Sequence, residues 1–172
     1  MLFNVAQLLK EPVGATRHFE VDEPGDILED VQADRIQGEV DLLRTGRGIL
    51  AQAELRLGAK QVCSRCLDEI DTPLSLSLEE EFFPLTDINT DAAVDVPEPD
   101  AFTIDEHHIL DLTEATRQYA LIALPLAPLC KEDCAGLCPE CGINRNRETC
   151  AHQPTLDERW AALGSLLGRV QN

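Results

Sequence analysis

The sequence of 172 residues predicts an α+β fold, in which an N-terminal antiparallel β-sheet or partial barrel is followed by helices and a C-terminal zinc-knuckle segment. Apolar residues recur at every second position in the first half and at helical spacing in the second half, and the cysteines fall in close pairs. We expect residues 1–83 to form a β-rich domain with the first cysteine pair and residues 84–107 to form an acidic loop. Residues 108–172 would then form a helical and zinc-knuckle region that packs on the sheet.

The clearest strand lies at residues 49–57, where apolar and polar side chains alternate. The turn at residues 45–48 contains two glycines, which predicts a hairpin with an antiparallel strand at residues 36–43. Alternating leucines at residues 74–78 predict a third strand, joined to the second through the turn at residues 63–66. We therefore expect the first cysteine pair at an edge of the sheet. The predicted buried face of the second strand consists of Ile49, Ala51, Ala53, Leu55 and Leu57.

Negative charge is concentrated in residues 66–116, which hold 15 acidic residues and no lysine or arginine in a chain of net charge −18. Within this stretch, residues 84–100 are rich in proline and aspartate without a period, so we expect no regular structure there. The acidity has two interpretations: a solvated loop, or a docking surface for a basic partner. RNA binding by the whole chain is disfavoured because like charge repels phosphates.

Two helices are predicted in the second half. Asp111 and Glu114 resemble a capping box for the first, which Pro125 should end. Thr155 and Glu158 resemble a capping box for the second, whose apolar stripe predicts core packing, with a partner groove as the alternative. The predicted stripes are Leu112, Ala115, Tyr119 and Ile122 in the first helix, and Leu156, Trp160, Leu163, Leu167 and Val170 in the second.

Seven cysteines and one histidine form four close pairs, enough ligands for two tetrahedral zinc sites. Residues 1–10 lack the pattern of a signal peptide, and seven cysteines cannot all pair within one chain. We therefore expect a cytoplasmic location, where reducing conditions favour metal over disulfides, and the spacing leaves iron–sulfur ligation open. The candidate metal ligands are Cys63, Cys66, Cys130, Cys134, Cys138, Cys141, Cys150 and His152.

The eight ligands can be divided in two ways. Residues 138–152 can close locally into a site of three thiolates and one imidazole, because eight residues between Cys141 and Cys150 suffice to loop back. The other four cysteines would then clamp the sheet to the segment after the first helix, as a second structural zinc site. The alternative partition joins Cys63 and Cys66 with Cys138 and Cys141 in one ribbon-like site.

Basic residues gather near the first pair and inside the last cluster, where they could contact phosphates. However, the chain has only one Trp, one Tyr and five Phe, and lacks the alternation of basic and aromatic residues that stacks unpaired bases. Direct binding of RNA is therefore the second hypothesis. Its candidate contacts are Arg44, Arg47, Arg56, Lys60, Arg65, Arg145 and Arg147.

No catalytic motif stands out in the sequence, which contains no P-loop, dinucleotide fingerprint, nucleophile elbow or H-E-x-x-H. His107 and His108 lie beside two acidic residues, and a polar entry to a helix explains them more simply than acid–base chemistry. The apolar stretch at residues 120–129 is too short to cross a bilayer and contains two prolines. We expect no enzyme activity, no small-molecule substrate and no membrane association.

Four motifs together resemble the YceD-like family of large ribosomal RNA subunit accumulation proteins, and the resemblance covers most of the chain. The motifs are Val62-Cys-Ser-Arg-Cys-Leu67, Leu110-Asp-Leu112, Leu124-Pro-Leu-Ala-Pro-Leu-Cys130 and Gly136-Leu-Cys-Pro-Glu-Cys-Gly-Ile-Asn144.

The resemblance implies a non-enzymatic factor of bacteria and plastids that is needed for accumulation of large-subunit (23S) ribosomal RNA. In bacteria, such a factor is encoded beside a large-subunit ribosomal protein. The family's cysteine motifs fall on the seven cysteines of this chain, and His152 stands where a cysteine would be as natural. We expect the partner to be a basic large-subunit ribosomal protein or assembly factor, with pre-ribosomal RNA as the alternative and a thiol redox sensor as the weakest third hypothesis.

Overall fold

A computed structural model describes residues 1–90, 92–96 and 99–152. The predicted C-terminal helix, with its capping box at Thr155 and Glu158, lies outside the described residues. Within those residues, seven strands form a mixed sheet that curls into a half-barrel and is accompanied by two α-helices. The elements are β1 (Leu2–Asn4), α1 (Ala6–Lys10), β2 (Thr16–Pro24), β3 (Ala33–Arg44), β4 (Ile49–Val62), β5 (Glu69–Pro84), β6 (Thr103–Ile104), β7 (Ile109–Asp111) and α2 (Thr113–Ala123), with a 3-10 turn at Gly25–Ile27.

The strands β2 to β5 form an antiparallel meander, as expected from the alternation of apolar and polar residues. All five predicted apolar positions of β4 are buried, and Gln52, Glu54 and Arg56 face water. Gly48 is required in the turn between β3 and β4, because a Cβ atom there would collide with the carbonyl oxygen of Phe82. The prediction of an antiparallel three-stranded core is confirmed for this part of the sheet.

The sheet has the order β1-β7-β6-β5-β4-β3-β2, and β5 and β6 are its parallel pair. The turn that carries Cys63 and Cys66 joins β4 to β5, two strands in the interior of this order. The first cysteine pair therefore lies in the predicted turn between the second and third strands of the meander, at the edge of the sheet where β4 ends and β5 begins. The hairpin of β4 and β5 is central in the sheet, because β6, β7 and β1 extend the sheet beyond β5.

The capping box predicted at Asp111 and Glu114 is wrong for Glu114, and only its Asp111 half forms. The helix α2 begins after Leu112, which provides no side-chain cap. As predicted, Asp111 accepts a hydrogen bond from an early helix amide, the backbone nitrogen of Thr113, at 2.9 Å. Glu114 does not reach back, because its carboxylate accepts a hydrogen bond from Arg117 at 2.8 Å.

The apolar face of α2 is shorter than the predicted stripe. The helix ends at Ala123, ahead of Pro125, as predicted. Ala115 and Ala120 are fully buried, whereas Ile122 is 83% exposed because the last turn extends beyond the face that packs on β5. The predicted inward position of Ile122 is therefore wrong.

One hydrophobic core joins the inner face of the sheet to both helices, and it includes side chains from α1 and α2. The elements β1, α1 and β2 had no clear periodicity, and the sequence alone did not identify them.

Residues 124–152, here named the post-helix segment, bury far fewer side chains than this core does. Their buried residues are Cys134, Gly136 and Cys138. Neither of the described α-helices has the length and hydrophobicity that a membrane span requires.

The region predicted as an acidic loop, residues 84–107, contains some local order. Asp87 accepts hydrogen bonds from the backbone nitrogens of Asn89 and Thr90 at 3.0 and 2.9 Å, and β6 pairs with β5 near the end of the region. The division of the chain into three regions stays a prediction.

Candidate metal centre

The first quartet, Cys63, Cys66, Cys130 and Cys134, brings four sulfur atoms within 4.8 Å of one another. The Sγ atoms of Cys63 and Cys134 are 3.8 Å apart, and those of Cys66 and Cys130 are 3.6 Å apart. Two thiolates bound to one tetrahedral zinc ion at about 2.3 Å would be separated by about 3.8 Å. The spacing and the donor chemistry of the first quartet therefore fit a structural zinc ion.

Backbone hydrogen bonds assemble the first quartet at the end of the central hairpin. The backbone nitrogen of Cys63 donates to the carbonyl oxygen of Asp68 at 2.9 Å, which closes the turn after β4. Ser64 then donates to the carbonyl oxygen of Pro128 at 2.8 Å, and this bond brings the post-helix segment alongside. The backbone nitrogen of Cys130 donates to the Sγ atom of Cys63 at 3.4 Å. The two cysteine pairs, more than sixty residues apart in sequence, therefore meet at one point.

The thiols of the first quartet hold their protons unequally. The backbone N–H of Cys66 is the largest influence on Cys63, and it lowers the pKa of that thiol to about 6 against the effect of burial. For Cys66, the backbone N–H of Asp68 lowers the pKa, but burial and the neighbouring thiols outweigh it and raise the pKa to about 12. The thiolate of Cys63 thus forms readily, and its negative charge opposes the deprotonation of the neighbouring thiol of Cys66. A divalent cation would offset the repulsion between the two negative charges.

The second quartet, Cys138, Cys141, Cys150 and His152, also places its ligand atoms within 4.8 Å of one another. It forms within a short stretch of chain: Gly142 donates from its backbone nitrogen to the carbonyl oxygen of Cys138 at 2.8 Å and adopts a left-handed φ of 73°. The backbone N–H of Cys141 is the main cause that lowers the pKa of Cys138 to about 6. Three sulfurs and an imidazole form a second donor set that suits zinc.

The structure brings together the same two quartets as the first of the two sequence-based partitions. Cys138 and Cys141 lie with Cys150 and His152, so the ribbon-like alternative partition does not describe this arrangement. In the described part of the chain, these quartets are the two groups of metal-ligating residues that come together. That they ligate a metal stays a prediction.

The candidate RNA-contacting residues do not form one patch. Arg44 and Arg47 lie at the β3–β4 turn, and Arg65 lies beyond the opposite end of β4, which is 14 residues long. A strand of that length spans up to roughly 45 Å. RNA contact by these residues stays a prediction, but they do not share one surface.

Most of these basic residues contact their own chain. The guanidinium of Arg44 donates to backbone carbonyls on either side of the turn, and that of Arg47 pairs with Glu81 at 3.0 Å. Arg65 donates to the carbonyl oxygen of Cys134 at 3.1 Å, and Arg56 is exposed on the outer face of β4. The remaining contacts are Lys60 with Asp34, Arg145 with the carbonyl of His152, and Arg147 with Asp68.

A row of three glutamates crosses the outer face of the sheet, and the sequence alone did not identify it. Glu39 is the register partner of Glu20 on β2 and of Glu54 on β4, and all three side chains are exposed. Each glutamate lies at a polar position of an alternating strand, but only the strand register shows that they are neighbours. We name these three residues the acidic row.

The acidic stretch found in the sequence, by contrast, uses many of its carboxylates internally. Glu80 accepts a hydrogen bond from the hydroxyl of Tyr119 at 3.0 Å, and Glu81 pairs with Arg47. Asp105 accepts hydrogen bonds from the backbone nitrogens of His107 and Ile109 at 2.9 and 2.7 Å. His107 itself is exposed, in a turn that Asp105 holds. Several carboxylates of this stretch are therefore engaged within the chain, whereas others, such as Glu69, Asp71 and Asp100, are exposed.

Comparison with known proteins identifies a family and several relatives. The family model described as "Large ribosomal RNA subunit accumulation protein YceD" matches residues 51–167. Uncharacterized protein Rv2926c of Mycobacterium tuberculosis is 31% identical over 121 residues, which cover 70% of this chain and 56% of that protein. Uncharacterized protein ML1660 of Mycobacterium leprae is 31% identical over 108 residues, covering 61% of this chain and 46% of that protein.

The chain therefore spans about half the length of the curated relatives that it matches. No solved structure matches it significantly.

Proposed function

Because this chain belongs to the YceD family of large ribosomal RNA subunit accumulation proteins, we propose that it is a non-enzymatic ribosome biogenesis factor that supports accumulation of 23S ribosomal RNA. It acts in the cytoplasm by binding a basic ribosomal or assembly protein. Loss of the factor would then lower the RNA level indirectly, because the partner no longer reaches the assembling large subunit.

The acidic row carries the proposal of a basic partner. Like charges directly opposite each other on neighbouring strands destabilise a sheet, by a few tenths of a kcal/mol to about 1 kcal/mol per pair. No ion pair joins Glu20 or Glu39 to another described residue. A lysine or arginine side chain from a partner would relieve this repulsion, which makes the row a site for basic protein.

The surrounding face has the same character. Glu79 and Asp41 lie on exposed positions of β5 and β3, beside Gln52 in the register. Asp41 and His18 form a pair at 2.9 Å, which raises the pKa of the histidine through the hydrogen bond to the carboxylate. The face is therefore mostly negative, and it opposes the binding of RNA phosphates while favouring basic protein segments.

The two quartets have a structural role in this proposal, each holding one zinc ion. Complete sets of four sulfur or nitrogen ligands leave no open position for a substrate, which is typical of structural rather than catalytic zinc. The first ion would fasten the post-helix segment to the central hairpin, and the second would close the loop at residues 138–152. Both ions would thus support the scaffold that presents the outer face.

A charge-matched pair of variants tests the partner. The first replaces Glu20, Glu39 and Glu54 by glutamine, and the control replaces Asp100 by asparagine and Glu106 and Glu132 by glutamine; the control residues are exposed and lie elsewhere. Each variant removes three negative charges. Binding to purified large-subunit ribosomal proteins should weaken at least about tenfold, or 1.4 kcal/mol, in the first variant and remain nearly unchanged in the control.

The same titration measures binding to 23S ribosomal RNA fragments at several salt concentrations. Affinity for RNA that falls steeply with salt and is equal in both variants would contradict the protein-partner proposal and support direct RNA binding. In cells that lack the factor, the control variant should restore the ratio of large-subunit to small-subunit RNA, and the acidic-row variant should fail to do so.

A further inference from the structure

The loop between Cys141 and Cys150 belongs to the second quartet, yet it also contacts the first. The side-chain amide of Asn146 donates from Nδ2 to the Sγ atom of Cys134 at 3.3 Å. Its Oδ1 atom accepts a hydrogen bond from the backbone nitrogen of Ala135 at 2.9 Å. These two contacts fix the direction of the amide, so that the N–H group and not the oxygen faces the sulfur.

A chain of polar contacts holds Asn146 in place. Its backbone and side-chain nitrogens both donate to Oδ1 of Asn144 at 3.0 Å. Asn144 in turn donates to the carboxylate of Asp68 at 3.0 Å, and Arg147 pairs with the same carboxylate at 3.0 Å. Asp68 also accepts the backbone hydrogen bond of Cys63. The loop of the second quartet is thus anchored to the turn of the first.

The backbone reinforces this connection. The backbone nitrogen of Leu137 donates to the carbonyl oxygen of Arg65 at 3.1 Å. The backbone nitrogen of Arg145 donates to the carbonyl oxygen of Gly136 at 2.9 Å. Gly136 has a left-handed φ of 69°, and a Cβ atom there would lie 3.0 Å from the carbonyl oxygen of Arg65. The chain therefore passes from Cys134 to Cys138 in close contact with the first cysteine turn, leaving little freedom between the quartets.

We propose that the two quartets load metal as one coupled unit, with Asn146 as the positioning residue that transmits the coupling. The inference rests on the zinc occupancy proposed above. A zinc ion with four thiolates carries two net negative charges, whereas one with three thiolates and a neutral imidazole carries one. The four-thiolate site therefore gains more from an N–H donor at a sulfur.

The coupling follows from where that donor lies. Metal at the second quartet closes the loop that carries Asn146, and the closed loop holds the amide against Cys134. Filling the second site thus strengthens the first, and by reciprocity filling the first strengthens the second. This differs from two independent sites, in which the loss of one leaves the affinity of the other unchanged.

The test uses the full chain loaded with two equivalents of zinc and titrated with a chromophoric chelator. A parallel titration with cobalt(II) follows the two sites separately, because four-thiolate and three-thiolate–imidazole coordination give different visible spectra. The variants are Asn146→Ala, the equally sized Asn146→Asp, Cys150→Ser, and Glu148→Ala as the control. Glu148 is exposed in the same loop and belongs to neither quartet.

We expect Asn146→Ala to weaken metal binding at the four-thiolate site by about 10–100-fold, as removal of outer-shell donors does elsewhere. Asn146→Asp should weaken metal binding at that site at least as much, since a carboxylate replaces the N–H donor. This variant tests the proposal if the alanine variant fails to fold. Cys150→Ser should weaken the first site although no ligand of that site is changed. Adding Asn146→Ala to Cys150→Ser should then cause little further loss.

A wild-type chain that binds two ions and an Asn146→Ala variant with unchanged first-site affinity would overturn the coupling alone. So would a Cys150→Ser variant whose first site keeps its full affinity. A wild-type chain that binds no zinc or cobalt would instead overturn the proposed metal sites, and the inference with them. Equal weakening in Glu148→Ala would also overturn the role of Asn146, because it would reflect general loosening of the loop.

Discussion

The curled sheet and the post-helix segment are held together by different kinds of interaction. The sheet and its helices bury a continuous apolar core, whose largest buried side chain is Phe82. The post-helix segment buries two cysteines and a glycine, and leaves Leu126 fully exposed. The first region is therefore stabilised mainly by hydrophobic burial, whereas the second depends on its cysteines and on whatever they bind.

The two quartets show the same contrast on a smaller scale. In the first quartet, Cys63, Cys66 and Cys134 are buried, and the set joins distant parts of the chain. In the second quartet, Cys138 is the buried cysteine, and the set closes within fifteen residues. The first quartet is therefore a long-range cross-link, and the second is a local one.

The largest expected effect separates the core from the post-helix segment. Phe82→Ala should lower the free energy of unfolding by about 3–5 kcal/mol, because it leaves a cavity beside Phe102, whose ring centroid is 5.2 Å away. Leu126→Ala should change it by less than about 0.5 kcal/mol. Chemical denaturation of both variants measures the difference. A large loss from Leu126→Ala would show that the segment has a hydrophobic core of its own.

The next effect separates the two quartets. A metal site can be treated as a cross-link that lowers the conformational entropy of the unfolded chain. On that basis, linking Cys66 to Cys130 stabilises the fold by about 4 kcal/mol, and linking Cys141 to Cys150 stabilises it by about 3 kcal/mol. With zinc present, Cys134→Ser should therefore destabilise the protein more than Cys141→Ser. Both variants exchange the same atom, so each controls for the other in denaturant titrations. Equal losses, or a larger loss from Cys141→Ser, would contradict the long-range role of the first quartet.

The smallest effect concerns the pKa of a carboxyl group on α2, a helix that packs on β5 and contributes no residue to either quartet. Hydrogen bonds from Arg117, and then from Gln118, lower the pKa of Glu114 from 4.5 to about 2. Because the pKa is depressed in the folded state, this contribution to stability is present above about pH 4.5 and is lost as the pH falls toward 2. A carboxyl titration followed by NMR should show the low pKa in the wild type and a return toward 4.5 in Arg117→Ala.

Removing the metal should leave that titration unchanged, since Arg117 contacts Glu114 and Asp30 and neither quartet. A shift of the Glu114 pKa on metal removal would show that the quartets also organise the helix, and the contrast between the two regions would fail.

The sequence predicted those features that arise from short-range order. The alternation in β4, the glycine turn before it and the end of α2 before Pro125 all follow from local periodicity and backbone restrictions. The elements β1 and α1 were not predicted, because short segments have no clear period and obtain their structure from packing. The predicted inward position of Ile122 fails for a related reason: a helical stripe does not show how far the supporting sheet extends.

The residues available for chemistry can be identified from the sequence: four close ligand pairs, and a local loop short enough to close one quartet. Tertiary structure decided which of the charged and polar residues matter. The acidic row exists only because the register aligns Glu20, Glu39 and Glu54, and the contact of Asn146 with Cys134 exists only because two turns pack together. Strand register and the packing of distant turns depend on long-range contacts, which spacing along a single chain does not specify.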